Sequence, residues 1–445
     1  MFNGNEIAAQ FILGTKYEIL PPEVIQQSKR CLLDLLGSTL AGTLTRVGRI
    51  AMDLVLDLGG KGEATLLGGP RKVPLTSAIL ANSFFASALD IDDGHRLVKG
   101  HPGAFIFPAV LALAERDRKS GKEFLTATVV GYEIGIRAGM ISHAYYTHYH
   151  SSGSWGGMGT FASMANLLGF NKEQILNGLG IAEFHGTIAP ALRQASAPSM
   201  LKGTTGWGAF SGAFAALLAQ KGFTGTPSLL GLEEYNELVR TLGKEFKILD
   251  LYFKPYASCR WAQPAIDGTL QILNKEKIHR EEIKKITIQT FEEATILRSK
   301  RPQTCEEAQY SLPYAVAVAI IDGQVGPMQV LEERLNNPEI LSIADKVEIS
   351  YDSDIQKTFP ERCLAKVIIQ TRKGTYSSGL MGAKGDPDHP LSDEEMKQKF
   401  LSLTQGIVQK ENAQKIIEMV DTFEKIRDVN ELIHLVRAKR SGAFS

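Results

Sequence analysis

Residues 365–380 read AKVIIQTRKGTYSSGL, and β-branched residues alternate there with polar ones at a period of two, the spacing of a half-buried strand. KKITIQT at 284–290 and KVEISY at 346–351 repeat the pattern. Around them, EEAQYSLPYAVAVAIIDG at 306–323 and PEILSIADK at 338–346 place apolar residues at helical spacing. This part of the chain therefore predicts a small α+β unit with an antiparallel sheet.

Toward the N-terminus the strand pattern disappears. From Pro22 to about Gly222 the apolar residues recur at helical spacing, as in EVIQQSKRCLLDLLGSTLAG (23–42) and TSAILANSFFASALDI (76–91). The segments at 157–170 and 206–219 are rich in Gly, Ala and Ser, and small residues let helices approach closely, so a compact bundle buried on several sides is expected. Toward the C-terminus helix returns: SDEEMKQKFLSLTQGIVQ (392–409) opens with a capping Ser and an acidic first turn, and NAQKIIEMVDTFEKI (412–426) follows. The expected fold is mainly α with an inserted α+β domain. Residues 1–262 and 400–445 make a large all-helical domain, and residues 263–399 a smaller lid domain.

At 445 residues the chain exceeds one ordinary core of roughly 100–200 residues, which also argues for two domains. Lys plus Arg and Asp plus Glu both number 49, so no global field favours nucleic acid or an anionic membrane. The expected partners are small molecules and further copies of the chain. Cys31, Cys259, Cys305 and Cys363 form no CxxC pair, which argues against a zinc cage or disulfide framework and fits a reducing cytoplasm. The first 24 residues lack the basic, apolar and small-residue order of a signal peptide, and no run approaches the ~18 apolar residues of a spanning helix.

The densest polar cluster is DIDDGHRLVKGHPG, residues 90–103, directly after an apolar helix. Charge at the end of a buried helix is costly unless it is used or paired. The carboxylates with His95 and His101 offer metal ligands, yet no HExxH pattern is present and Arg96 and Lys99 would repel a cation. A second cluster, residues 142–160, holds His143, His148 and His150 among tyrosines before a glycine-rich stretch that lacks the GxxxxGK[ST] order of a phosphate cradle. Lys202 stands alone before a glycine turn, and Lys254 stands between aromatic residues. Read locally, each lysine packs its stem on apolar surface and keeps its ammonium in water. Cys259 beside Arg260 is a candidate nucleophile, though free cysteines are more often buried hydrophobes.

Four strings in order, ALDIDDGHRLVKGHPGAFIFPAVLALAE (88–115), FKPYASCRWAQPAIDG (253–268), EEAQYSLPYAVAVAIIDG (306–323) and KGDPDHPLSDEEMKQKF (384–400), resemble signature regions of the MmgE/PrpD family. Members of that family dehydrate 2-methylcitrate, decarboxylate cis-aconitate or epimerise iminodisuccinate. The resemblance implies a helical domain with an inserted lid, a homodimer, and an active site between the domains that uses no metal or organic cofactor. By the same resemblance Asp90, His101, His150, Lys202 and Lys254 match the catalytic positions, and Asp93, Gly94, His95, Ser258 and Arg260 are expected to face substrate. Two departures stand out. Gly94 and His95 replace the Thr common after the paired Asp, with a loop to His101 one residue longer. Near Lys202, Gly-Thr-Thr-Gly replaces a frequent His.

The expected activity is that of a lyase moving a proton next to a carboxylate of a small di- or tricarboxylic acid. Lys202, Lys254 and Arg260 would hold carboxylates and developing charge, His101 or His150 would move the proton, and Asp90 would orient one imidazole. An epimerase of a dicarboxylate such as iminodisuccinate needs the same groups. A non-catalytic carboxylate-binding module is the third reading, and the intact polar set speaks against it.

Overall fold

In the computed structural model, which describes residues 3–437, Pro21 and Pro22 begin the first long helix, α1 (Pro22–Gly42). Proline suits this position because its φ is preset for the helix and its missing N–H would have no partner there. From Cys31 to Gly42 every residue of α1 is buried. Its neighbours are α2 (Leu75–Ser87), α3 (Gly103–Arg116), α4 (Gly121–Tyr145), α5 (Gly153–Leu168) and α6 (Thr205–Gln220), which pack pairwise around one core. The small residues serve the close packing expected of them. A Cβ at Gly42 would stand 1.9 Å from the Phe85 carbonyl oxygen, and one at Gly159 of α5 would stand 3.1 Å from Cα of Gly135 in α4.

By length and hydropathy α4 is suited to cross a membrane, but 94% of its most apolar window is buried inside the bundle. Its centre also carries Glu133 and Arg137, a fully buried ion pair. Glu133 accepts the backbone N–H groups of Lys247 and Ile248, and Arg137 donates to the carbonyls of Leu238 and Glu245. The pair thus ties the loop before Leu251 to the bundle.

A second core begins at Ala257 and runs to Ile369. It holds α7 (Gln263–Glu276), α8 (Leu312–Asp322) and a sheet of β1 (Ile283–Thr290), β2 (Val347–Tyr351), β3 (Leu364–Thr371) and β4 (Thr375–Gly382), in the order β2-β1-β3-β4. The β1–β3 and β3–β4 pairs are antiparallel, as read from the sequence. The β1–β2 pair is parallel. Parallel neighbours need a crossover, and the helical segments between residues 291 and 346, α8 among them, supply it. Helices account for 61% of the structure, so the mainly α class with an α+β part holds.

The chain then returns to the first core. In α9 (Asp393–Thr404), Ser392 and Glu395 form a reciprocal capping box, and Phe400 and Leu403 pack against Gly37 of α1. Leu89, Ile91 and Leu403 pack into the second core from elements of the first. The seam between the cores therefore runs beside Asp90.

Candidate active site

Asp90 follows α2 in a turn with φ of +52°, and Lys99 and Lys202 have φ of +46° and +45°. Left-handed backbone costs a residue with a Cβ roughly 1–2 kcal/mol, so tertiary contacts must hold all three. All three line one cavity of about 320 Å3 at the seam.

Asp90 is 4% exposed, and the ammonium of Lys254, 1% exposed, bonds its carboxylate. Burial alone would raise the Asp90 pKa, but Lys254, His101 and Lys202 outweigh it and hold the group at about 2. Burial likewise disfavours the Lys254 charge, and Asp90 with Asp92 reverses that, raising its pKa. His101 spans the turn: Nε2 lies 3.5 Å from Asp90 Oδ1, and Nδ1 lies 3.0 Å from Asp92 Oδ2. Asp92 is fully buried, so it orients the ring through Nδ1, while Nε2 is turned to Asp90.

Lys202 enters from the turn before α6 and bonds Oε1 of Gln309. The Gln309 amide donates in turn to the Ala88 carbonyl, 3.0 Å away. A neutral amide thus positions Lys202 without cancelling its charge. Arg260 pairs with Asp386 and lies 5.2 Å over the Tyr252 ring, while its Nε and Nη1 are buried without a hydrogen-bond partner among the described residues. Those N–H groups lie on different edges of the guanidinium, so each can donate a single charge-assisted hydrogen bond to an incoming carboxylate.

Of the residues expected from sequence, Asp90, His101, Lys202, Lys254 and Arg260 come together on the cavity. The others face elsewhere. The His150 ring lies against Tyr146, its backbone bridges to Pro190, and only its neighbours Tyr149 and Ser151 reach the cavity wall. Asp93 accepts the Gly103 N–H at 3.1 Å and the Tyr132 hydroxyl, anchoring the start of α3. Gly94 leaves room for Tyr252, whose ring would lie 2.3 Å from a Cβ there. His95 is buried with neither ring nitrogen bonded among the described residues, and burial lowers its pKa to about 3. Ser258 donates to the Gln309 carbonyl at 3.2 Å. Cys259 does line the cavity, but burial pushes its thiol up to about 12, so it is no ready nucleophile at neutral pH.

Asp92, Gln309, Tyr310, whose ring lies 5.9 Å from the Lys202 ammonium on the cavity wall, and Asp386 were not singled out from sequence. All four lie inside the quoted signature strings, so the motifs pointed to them and the residue types alone did not. Ligand atoms of Asp90, Asp92 and His101 lie within 4.8 Å of one another, the spacing of a possible cation site. Lys254 already occupies Asp90 Oδ1, and Lys202 adds a second positive charge nearby, so this donor set suits an ammonium better than a metal ion.

Two cores with a cation-rich, carboxylate-bearing cavity at their seam define a mainly helical two-core protein. The pattern of the MmgE/PrpD N-terminal domain matches residues 6–247, and that of the MmgE/PrpD C-terminal domain matches residues 256–425. The chain belongs to the MmgE/PrpD family. It is 26% identical to the cis-aconitate decarboxylase of Homo sapiens, over 97% of this chain and 94% of that one. It is 25% identical to the cis-aconitate decarboxylase-like protein oryM of Aspergillus oryzae, over 94% of both chains. Identity to the cis-aconitate decarboxylase of Aspergillus terreus is 23%, over 94% and 92%.

Proposed function

We propose that this chain is a lyase that breaks a carbon–carbon or carbon–oxygen bond next to a carboxylate of a small acid bearing two or more carboxylates, with decarboxylation the favoured reaction. The observation that carries this reading is the set Asp90, Lys202, Lys254 and Arg260, almost wholly buried around one cavity, with the partly exposed His101 among them. The names of the relatives support the decarboxylase form over the dehydratase form. No metal or organic cofactor takes part in the proposed chemistry.

Lys202 and Arg260 hold substrate carboxylates, since each brings donors that no protein anion fully occupies. Loss of CO2 leaves its bonding pair on carbon, delocalised into the remaining carboxylate as enolate-like charge. Lys254 and Lys202 stabilise that charge in a site shielded from water, where fixed cations act more strongly. A protonated His101 then delivers its proton to the carbon, forming the new C–H bond, and solvent restores the proton. Asp92 keeps the ring aligned throughout.

The test is incubation in D2O with cis-aconitate, 2-methylcitrate, citrate, iminodisuccinate and related acids, followed by NMR. Deuterium in a product that has lost CO2 supports decarboxylation, and loss of water instead supports the dehydratase. Deuterium with only inverted configuration moves the assignment to an epimerase. No exchange with any acid in folded protein rejects the proposal.

A homodimer belongs to the same reading. Trp207, Phe210 and Phe214 run along one face of α6 with ring centroids 5.6 and 4.7 Å apart, and Trp207 and Phe214 are 54% and 43% exposed. Such an aromatic stripe suits a subunit interface.

A further inference from the structure

Part of the cavity has no use in proton transfer. Trp261, Phe359 and Pro360 line it from the second core, and Leu192 lines it from the short helix Ala191–Ser196. The Trp261 ring lies 6.4 Å from Phe359 and 6.1 Å from Phe291, and Phe291 stacks on Phe359 at 4.4 Å. Phe291 is fully buried, so the aromatic wall is anchored in the structure. Leu192, 55% exposed, has no such packing and presents its side chain at the cavity.

The charges set a second limit. Arg96, Lys99, Lys202, Lys254 and Arg260 line the cavity, against the carboxylates Asp90 and Glu293 on its wall and Asp92 and Asp386 bonded directly behind it. Five cations facing four anions leave an excess of one, or of two when His101 is protonated. A tricarboxylate brings more negative charge than that excess, and it leaves the aromatic wall against water or against its own charges. Two carboxylates match the charge, and an apolar substituent matches the wall.

From this match we infer that the substrate is a dicarboxylate carrying an apolar arm of several carbons. Its acid groups sit at Lys202 and Arg260, and its arm lies against Trp261, Phe359 and Leu192. This inference rests on the carboxylate-lyase reading of the same cavity and narrows it to one chemical class.

The test measures Kd by calorimetry for the full-length protein with maleate, a series of 2-alkylmaleates from methyl to hexyl, and cis-aconitate. Affinity is expected to rise about fourfold per added methylene over the first several carbons, the transfer free energy of a buried CH2, and the longer-armed acids should bind more tightly than cis-aconitate. Leu192→Ser, at an exposed position where folding is not at stake, and Trp261→Leu should both flatten the dependence on arm length. Affinity that stays level or falls as the arm grows, while maleate or cis-aconitate still binds, overturns the arm and leaves the lyase reading standing. If no acid binds, the unsubstituted ones included, both fall together.

Discussion

Lys254→Met keeps most of the side chain's length and apolar stem and removes the ammonium that holds Asp90. In the native protein the Asp90 carboxyl sits at about 2 against an ordinary 3.8, a depression that stabilises the fold by about 2 kcal/mol at neutral pH. Because the folded value is the lower one, this stability is fully present above about pH 4 and is lost as pH falls toward 2. Removing one partner of a buried pair costs about 3–5 kcal/mol, and His101 and Lys202 still face Asp90, so a loss of about 3 kcal/mol is expected at pH 7. In the variant burial acts on Asp90 with less opposition and raises its pKa, so folding takes up a proton and the deficit shrinks as pH falls from 7 to 5. Urea denaturation of both proteins at the two pH values measures this, with midpoints compared at equal m. Adding Asp90→Asn should recover more than half the loss, because the buried charge is gone. A deficit under about 1 kcal/mol at pH 7, or one equal at both pH values, refutes the coupling of these two residues.

His101→Gln should lower kcat by about 10²–10⁴-fold and suppress deuterium uptake together, and full turnover would remove His101 from the proton path. Lys399 of α9 bonds Asp34 and the Ile91 carbonyl, the latter at 2.7 Å, inside the turn that carries Asp90 and Asp92. Lys399→Met should therefore lower kcat more than it raises KM, with Lys399→Arg partly restoring it, and a folded Lys399→Met protein with native kcat excludes this tether. His95 has a folded pKa of about 3 against 6.5, so the unfolded chain binds the extra proton and stability falls as pH drops below 6.5. His95→Phe should remove about 2 kcal/mol of the loss between pH 7 and pH 5, read by urea titration, and an unchanged slope shows that His95 is not buried neutral. On the proposed homodimer, Trp207→Glu should convert dimers to monomers in light scattering at micromolar protein; a monomeric unmutated chain overturns the dimer, and an unchanged dimeric mass rules out α6 as its interface.

The helical half was legible because its residues obey one period over long spans, and because glycines such as Gly42 and Gly159 answer a need for close packing visible in composition. Strand identity was legible in 365–380 and the expected antiparallel pairing held for β1–β3 and β3–β4, but the parallel direction of β2 was not legible: a parallel and an antiparallel partner show the same alternation, and only the length of the connection separates β2 from β4. The site was harder to read. Lys202 and Lys254 each look like surface lysines with a packed stem, and their burial depends on Gln309 and Asp90, 107 and 164 residues away in sequence. By residue type alone, without the family resemblance, Asp90, Asp92 and Asp93 are indistinguishable within one acidic string. The left-handed φ at Asp90 sorts them, sending Asp90 to Lys254, Asp92 to His101 and Asp93 back to Tyr132. Arg260 was expected to meet substrate, yet its partner Asp386 lies 126 residues on, beyond the reach of any local pattern.

Several bonds that cross the seam differ in kind from the ion pairs of the first core. Within the first core, charged groups pair with opposite charges, as Lys399 does with Asp34 and Glu133 with Arg137. Across the seam, Lys202 meets the neutral amide of Gln309, that amide meets the Ala88 carbonyl, and Arg96 meets the Glu361 carbonyl. Hydrogen bonds between two charged groups are stronger than those between a charge and a neutral oxygen. On the proposed reading a substrate carboxylate would therefore replace the Gln309 oxygen on Lys202 at a gain, whereas it could not displace Asp90 from Lys254 without leaving a buried carboxylate unpaired. On the proposed reaction the two lysines take different tasks: Lys202 is available to incoming substrate, and Lys254 stays paired with Asp90 while its positive charge still acts on the enolate-like charge beside it.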